Sequence, residues 1–308
     1  MSGRSHPELA NAIGKILGVK VFNPISSFSD GEVRVRVEPN LQQKRVFIIQ
    51  PTAAPVNDHI MELILMADAA RRASATEINA VVPYYGYSRQ DRKEMPRVPI
   101  SSSVVASMFI NAGIDRILTV DIHSEQQAGF IQKPWDNLFG SYSLIPFIKK
   151  KKLSNLVVAS PDKGGVLQAT AYARLLGAKD IAFVYKQRDI ALNDVSNTMG
   201  MIGDVKNRDV LLVDDVISTG GTIVNAANYI KEKGAKSVRV VATHGVFSGN
   251  ALSLIADSAI DEMIISDSIN HRSEIRKNPK ISIVSVAPLL AQAIQRITTG
   301  ESMSDLIL

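Results

Sequence analysis

The chain has 308 residues, 45% of them hydrophobic and 21% charged, with a formal net charge of +5 and no cysteine. That length allows two ordinary domains with a core each, and the lack of cysteine excludes disulfide scaffolding, thiolate metal sites and thiol nucleophiles while fitting a reducing, cytoplasmic setting. No run of about 18 apolar residues occurs, so no membrane span or secretory signal is read, and the mild positive charge suits anionic small molecules without calling for nucleic acid.

Ser5-His6-Pro7-Glu8 has the pattern of a capping box opening a helix, with Leu9, Ile13, Ile16 and Leu17 as its apolar stripe and Gly18 as its stop. Residues 33–37 alternate, with valines on one side and Arg34 and Arg36 on the other, as in a half-buried strand. Just before them, Phe28-Ser29-Asp30-Gly31-Glu32 sets two carboxylates around a glycine beside an aromatic ring and reads as a hairpin or turn.

Residues 46–50 form an apolar strand, followed by a loop, a helix over about 57–72 and a strand at 78–82. The same order returns at 210–243: a strand, a loop, a helix from 223 to 233, the stop Gly234 and a strand. The two halves thus read as copies of one α/β unit. Their loops differ. The first, 51–57, has two prolines and no glycine, whereas the second reads Asp214-Asp215-Val216-Ile217-Ser218-Thr219-Gly220-Gly221-Thr222.

Loop amides and the positive end of the next helix converge at the carboxyl end of a parallel strand. Gly220 and Gly221 let consecutive N–H groups face one concavity, and the hydroxyls of Ser218, Thr219 and Thr222 add donors, which suits a phosphate. Asp214 and Asp215 are better placed to accept hydrogen bonds from sugar hydroxyls or to sit near Mg²⁺. A phosphate beside a diol is a phosphorylated ribose; the plainer alternative is a tight βα turn with an acidic surface pair.

Other strand ends carry polar residues too. Residues 83–93 run from aromatics and a glycine into Ser88-Arg89-Gln90-Asp91-Arg92-Lys93, an anion-binding loop or a solvated one. A helix at 101–111 and a strand at 117–120 lead to Asp121-Ile122-His123, where His123 is a metal or nucleotide ligand or a structural histidine. Residues 135–143 are rich in turn formers and mark the expected domain boundary, giving domains 1–143 and 144–308. The run 149–152 reads as the solvated basic end of a helix over 144–150. A strand at 156–159 ends in Asp162-Lys163-Gly164-Gly165, where Asp162 holds Mg²⁺ through water or caps the next helix. A strand at 181–185 precedes Lys186-Gln187-Arg188 and the polar stretch 189–197, the composition of a cationic lid over phosphates or of an ordinary surface loop. Strands at 262–266 and 281–286 and a helix at 288–298 close the chain.

In this order, residues 28–32, 88–93, 121–123, 162–165, 186–188 and 214–222 resemble the ribose-phosphate pyrophosphokinase family over essentially the whole chain. The 214–222 segment by itself is similar to the ribose-phosphate loop of the type I phosphoribosyltransferase fold. The resemblance implies an α/β protein of two tandem related domains of that fold, each a mainly parallel sheet flanked by helices. It implies ATP contacts from Phe28, Asp30, Gly31, Glu32, Arg89 and Gln90, and Mg²⁺-linked residues His123 and Asp162. Lys186 and Arg188 are then the catalytic cations. Ribose 5-phosphate falls to Arg188, Asp214, Asp215, Ser218, Thr219, Gly220, Gly221 and Thr222. The implied reaction moves the diphosphoryl group of MgATP to the C1 hydroxyl of ribose 5-phosphate, in a homo-oligomer (a dimer-based assembly up to a hexamer) whose 28–32 segment reaches a neighbouring subunit's site. Ser218 stands where family members commonly carry Asp, and Gln187 where they carry Arg. Ser302, Ser304 and Arg72 resemble positions of an allosteric phosphate or ADP site. A base-using phosphoribosyltransferase and a non-catalytic regulatory paralogue are the competing readings.

Overall fold

The computed structural model describes residues 1–187 and 198–307. The chain divides into two units: Met1–Gly140 with Asp267–Asn270 and Ser285–Leu308, and Ser141–Ser266 with His271–Val284. The first unit therefore includes the end of the chain, where the sequence had placed all of 144–308 in the second domain.

In the first unit, α1 (Pro7–Leu17) precedes an antiparallel hairpin, β1 (Ile25–Ser27) and β2 (Val33–Val35), paired Ile25 to Val35 and Ser27 to Val33. A parallel sheet follows in the order β3 (Arg45–Ile49), β4 (Glu77–Val81), β5 (Arg116–Val120), β6 (Trp135–Leu138), with α2 (Val56–Arg72) and α3 (Ser101–Asn111) as crossovers. Strand alternation sorts the side chains. Val46, Ile48, Ile78 and Ile117 pack with Leu63 and Met66 of α2 and Phe109 of α3. On the other face, Ile49, Val81, Leu118 and Val120 pack with Leu9 and Ile13 of α1 and with the closing helix. A sheet buried on both faces is why these strands read as apolar runs.

The break between the units falls between Gly140 and Ser141, inside the expected 135–143, but residues 135–138 form strand β6 rather than a turn. Its polar residues are used inside the sheet: Asp136 pairs with Arg116 of the adjacent β5, and Asn137 Oδ1 accepts Ile122 N at 2.9 Å.

In the second unit, α4 (Ser141–Lys149) leads into a sheet that, among the described residues, has seven strands. The elements are β7 (Val157–Ser160), α5 (Val166–Leu176), β8 (Asp180–Gln187), β9 (Thr198–Ile202), β10 (Asp209–Ile217), α6 (Gly221–Glu232), β11 (Ser237–Gly245), α7 (Ala251–Ala256), β12 (Glu262–Ser266), α8 (Ser273–Arg276) and β13 (Ile281–Val284). The sheet order is β13-β12-β11-β10-β7-β8-β9, and β9 alone runs antiparallel to its neighbour. Val210 and Leu212 face Ile223, Ala227 and Ile230 of α6, while Leu211 and Val213 face Leu144, Ile148, Ala169 and Tyr172 of α4 and α5. The chain closes in the first unit with α9 (Ala287–Thr299), whose Leu290 and Ile294 cover the β3–β5 face, and α10 (Ser304–Ile307).

The two copies read from the sequence are both present as parallel strand–helix–strand units. Phe47 pairs with Asn79 across β3 and β4, and Leu211 with Arg239 across β10 and β11.

Candidate active site

Strand β10 runs four residues past the expected end at 213, so Asp214 and Asp215 lie within the strand rather than after it. Its pairing with β7 stops at Leu212 to Ala159, whereas its pairing with β11 continues to Ile217 opposite Gly245. The acidic pair thus stands where the sheet opens on one side, the crevice at the carboxyl ends where open α/β sheets bind ligands. Asp214 Oδ1 accepts the Asp215 amide at 2.9 Å. Burial, then the charge of Asp215 and that of Asp162, raise the Asp214 carboxyl to about 8. Acids that disfavour one another's charge at a strand end suit hydrogen-bond donors.

The turn after β10 is braced from behind. Ile217 O accepts Val246 N at 2.9 Å, Ser218 O accepts Ser248 N at 3.0 Å, and the hydroxyls of Ser218 and Ser248 lie 3.0 Å apart. Gly220 sits at φ 80°, the left-handed region that favours glycine, as the residue preceding α6. Thr219 and Thr222 are exposed, and a Cβ on Gly221 would meet nothing within 4 Å. The first turn of α6 accordingly opens outward with its N–H groups available to an anion.

Asp162 follows β7, the strand beside β10. Its Oδ1 accepts Gly164 N at 2.7 Å and Gly165 N at 3.2 Å, and Ser160 Oγ donates to its carbonyl at 2.6 Å. The carboxylate is exposed but oriented by its own turn. A Cβ on Gly165 would lie 2.6 Å from Ser160 Oγ, which explains the second glycine. Lys163 Nζ stands 5.8 Å from the centre of the Tyr185 ring on β8, tying the Asp162 turn to the strand that carries Lys186. Lys186 is next to last in β8, opposite Met199 of β9. Because β10, β7 and β8 are consecutive in the sheet, Lys186 lies two strands, about 10 Å, from β10 at the same carboxyl edge. Arg188 and the expected cationic lid at 189–197 lie outside the described residues.

In the first unit, Phe28, Asp30, Gly31 and Glu32 share the tip of the β1–β2 hairpin. Phe28 N donates to Glu32 O at 2.9 Å, and Glu32 N to Asp30 Oδ1 at 3.1 Å. The Phe28 ring is 50% exposed, with the Arg34 guanidinium 5.6 Å from its centre, so one aromatic face is offered outward. Arg89 and Gln90 are exposed on the loop after β4. That loop is held by Thr52, whose Oγ1 accepts Gly86 N at 2.7 Å, and by α3, where Ser101 Oγ bonds Gln90 Oε1 at 2.6 Å. His123 is exposed just beyond β5. Asp121 beside it is buried with φ 40° and accepts Gly140 N at 3.1 Å, so it shapes the loop. No local pattern marks Gln127, a buried amide that bonds Ser88 and Ser102, because those partners lie 39 and 25 residues away in the chain.

The N-terminal domain model of ribose phosphate pyrophosphokinase matches residues 1–113, and the phosphoribosyl synthetase-associated domain model matches residues 185–308. The chain is 48% identical over 305 residues to the ribose-phosphate pyrophosphokinase of Vibrio parahaemolyticus, covering 98% of this chain and 96% of that one. The chain belongs to the ribose-phosphate pyrophosphokinase family. The Helicobacter pylori ribose-phosphate pyrophosphokinase is 47% identical over 306 residues, 99% of this chain and 94% of the other. The crystal structure of phosphoribosylpyrophosphate synthetase from Mycobacterium smegmatis superposes with a TM-score of 0.90 at 37% identity, over 97% and 98% of the two chains. The fold of this ribose-phosphate pyrophosphokinase relative is therefore the family's fold throughout. Among the described residues, no helix is long and apolar enough to cross a membrane.

Proposed function

We propose that this chain is a ribose-phosphate diphosphokinase that transfers the diphosphoryl group of MgATP to the C1 hydroxyl of ribose 5-phosphate, giving 5-phosphoribosyl 1-diphosphate and AMP. The observation that carries the reading is the full-length family match joined to an acidic pair and an open glycine turn at one strand end.

The sugar phosphate sits on the amides and hydroxyls of residues 218–222, and Asp214 and Asp215 accept hydrogen bonds from the ribose hydroxyls. This fixes the C1 oxygen for in-line attack on the β-phosphorus, as the bond from the bridging oxygen to that phosphorus breaks and AMP departs with the oxygen. Lys186 and Arg188 offset charge growing on the β-phosphoryl group and on AMP. Phe28, Asp30, Gly31 and Glu32 hold the adenine end, and Arg89 with Gln90 the nucleotide's phosphates or base. The hairpin serves a neighbouring subunit's site, which makes the working enzyme a homo-oligomer.

Mg²⁺ fits the donors by type. Asp162 offers hard carboxylate oxygen on a fixed turn, and His123 offers an exposed imidazole. Among the described residues no three or more His, Asp, Glu or Cys form a cage. An ion carried in on phosphate oxygens and keeping its waters needs none. When bound, it screens the phosphate charge that otherwise repels the attacking oxygen.

Incubating the protein with MgATP and ribose 5-phosphate is expected to yield AMP and the diphosphorylated sugar in equal amounts. ADP in place of AMP, or no turnover, rejects the assignment.

A further inference from the structure

Gln127 is a fully buried polar side chain near the nucleotide loop, on the short 3₁₀ turn Glu125–Phe130 that follows His123. Both ends of its amide are used. Nε2 donates to the Ser88 carbonyl at 3.0 Å, and Oε1 accepts the hydroxyl of Ser102 in the first turn of α3. Ser88 directly precedes Arg89. Ser102 N in turn donates to Gln90 O at 3.2 Å, and Tyr85 OH donates to Ser102 O at 2.8 Å. The exposed Arg89-Gln90 pair is therefore gripped from below: by Gln127 at the residue before it, and by α3 at its own second residue.

A buried primary amide costs stability unless satisfied, and an apolar residue of equal size would fill the same space without that cost. What the amide adds is direction. It fixes one backbone carbonyl of the nucleotide loop to the turn that carries His123 four residues earlier, so the two loops keep one spacing and orientation. We infer that Gln127 is a positioning residue for MgATP, setting Arg89 and Gln90 relative to His123 without touching the nucleotide itself. The inference rests on the proposed diphosphokinase reading.

The test is titration calorimetry of MgATP and steady-state kinetics on wild type, Gln127→Leu and Gln127→Glu. All are assayed well below their melting temperatures. Gln127→Glu keeps the acceptor for Ser102 but turns the donor facing Ser88 O into a second acceptor. Both variants are expected to bind MgATP about tenfold more weakly, the worth of one buried positioning hydrogen bond, with KM for ATP rising in step. The expected kcat and KM for ribose 5-phosphate stay near wild type, since residues 214–222 are untouched. Should Gln127→Leu fail to fold, Ser102→Ala removes the other end of the grip and is expected to weaken MgATP in the same direction. Variants that melt earlier yet bind MgATP like wild type make Gln127 a packing residue only and overturn the inference. A wild-type protein that neither binds MgATP nor forms AMP instead removes the functional reading, and the inference with it.

Discussion

The two copies of the strand–loop–helix unit end their first strands in opposite ways. At the end of β3, Gln50 is completely buried: its Nε2 donates to Glu62 at 2.7 Å and to His59 O at 3.2 Å, and its Oε1 accepts Ser5 N at 3.2 Å. Glu62 also receives Arg4 Nε at 2.6 Å. At the end of β10, the aligned Asp214 has acidic neighbours: burial and then Asp215 raise its pKa most, with a smaller contribution from Asp162. One copy has spent its strand-end polarity inward, on holding the N-terminal segment. The other gathers acids beside a glycine turn where an added Cβ on Gly221 would meet nothing within 4 Å. A shared fold thus supplies the platform twice, and the copy with the acidic pair and the glycine turn has the chemistry of a site.

The sharpest way to break this contrast is to show that turnover does not depend on the second unit's cations. Lys186→Ala is expected to lower kcat by about 10²–10³. KM for ribose 5-phosphate should remain close to wild type in steady-state assays, because residues 218–222 hold the sugar phosphate. Near-normal turnover would remove Lys186 from catalysis.

Next in size is the inward network. Glu62→Ala leaves the Gln50 amide and Arg4 without their shared acceptor, a loss of about 2 kcal/mol. At about 2–4 °C per kcal/mol the melting temperature should fall by roughly 4–8 °C. Ribose 5-phosphate affinity, read by calorimetry, should not change. A variant that melts normally but loses the sugar phosphate would reverse the roles given to the two strand ends.

The smallest effect sharpens the comparison through pH. The folded-state pKa of Asp214 is raised to about 8, so its protonated form favours folding and that contribution is lost as pH rises from the ordinary carboxylate range through 8. Metal-free wild type should therefore lose stability across that window. Asp214→Asn should flatten the loss, melting a few degrees higher than wild type at pH 9 and nearly level with it at pH 4, at about 2–4 °C per kcal/mol recovered. Parallel melting curves at every pH would mean that Asp214 is not held against its neighbours' charge.

Apart from β6 and β9, the strands of both sheets were legible because burial on two faces leaves short apolar runs, and the glycine turn because few other needs place two glycines and three hydroxyls after two acids. Strand β6 was hidden by Pro134 and by Asp136 and Asn137, polar residues whose partners are Arg116 and the Ile122 amide rather than water. Helix α9 was legible as an amphipathic stripe, but a stripe does not name the sheet it covers, and it joins the first unit. Asp214 and Asp215 were foreseen as residues beyond the strand; only the pairing of β10 with β11 shows that the strand continues through them. Gln127 and the Gln50–Glu62–Arg4 network are long-range polar contacts, and no local periodicity encodes those.

The most direct trial is calorimetric titration of ribose 5-phosphate into wild type and Gly221→Asp. A Cβ at Gly221 enters open space, and an acidic side chain in the first turn of α6 favours the helix. The substitution thus puts a negative charge into the turn without disturbing the fold. Saturable binding at one site per chain in wild type, abolished in Gly221→Asp at unchanged melting temperature, is the expected result; equal binding by both proteins would place the sugar phosphate elsewhere.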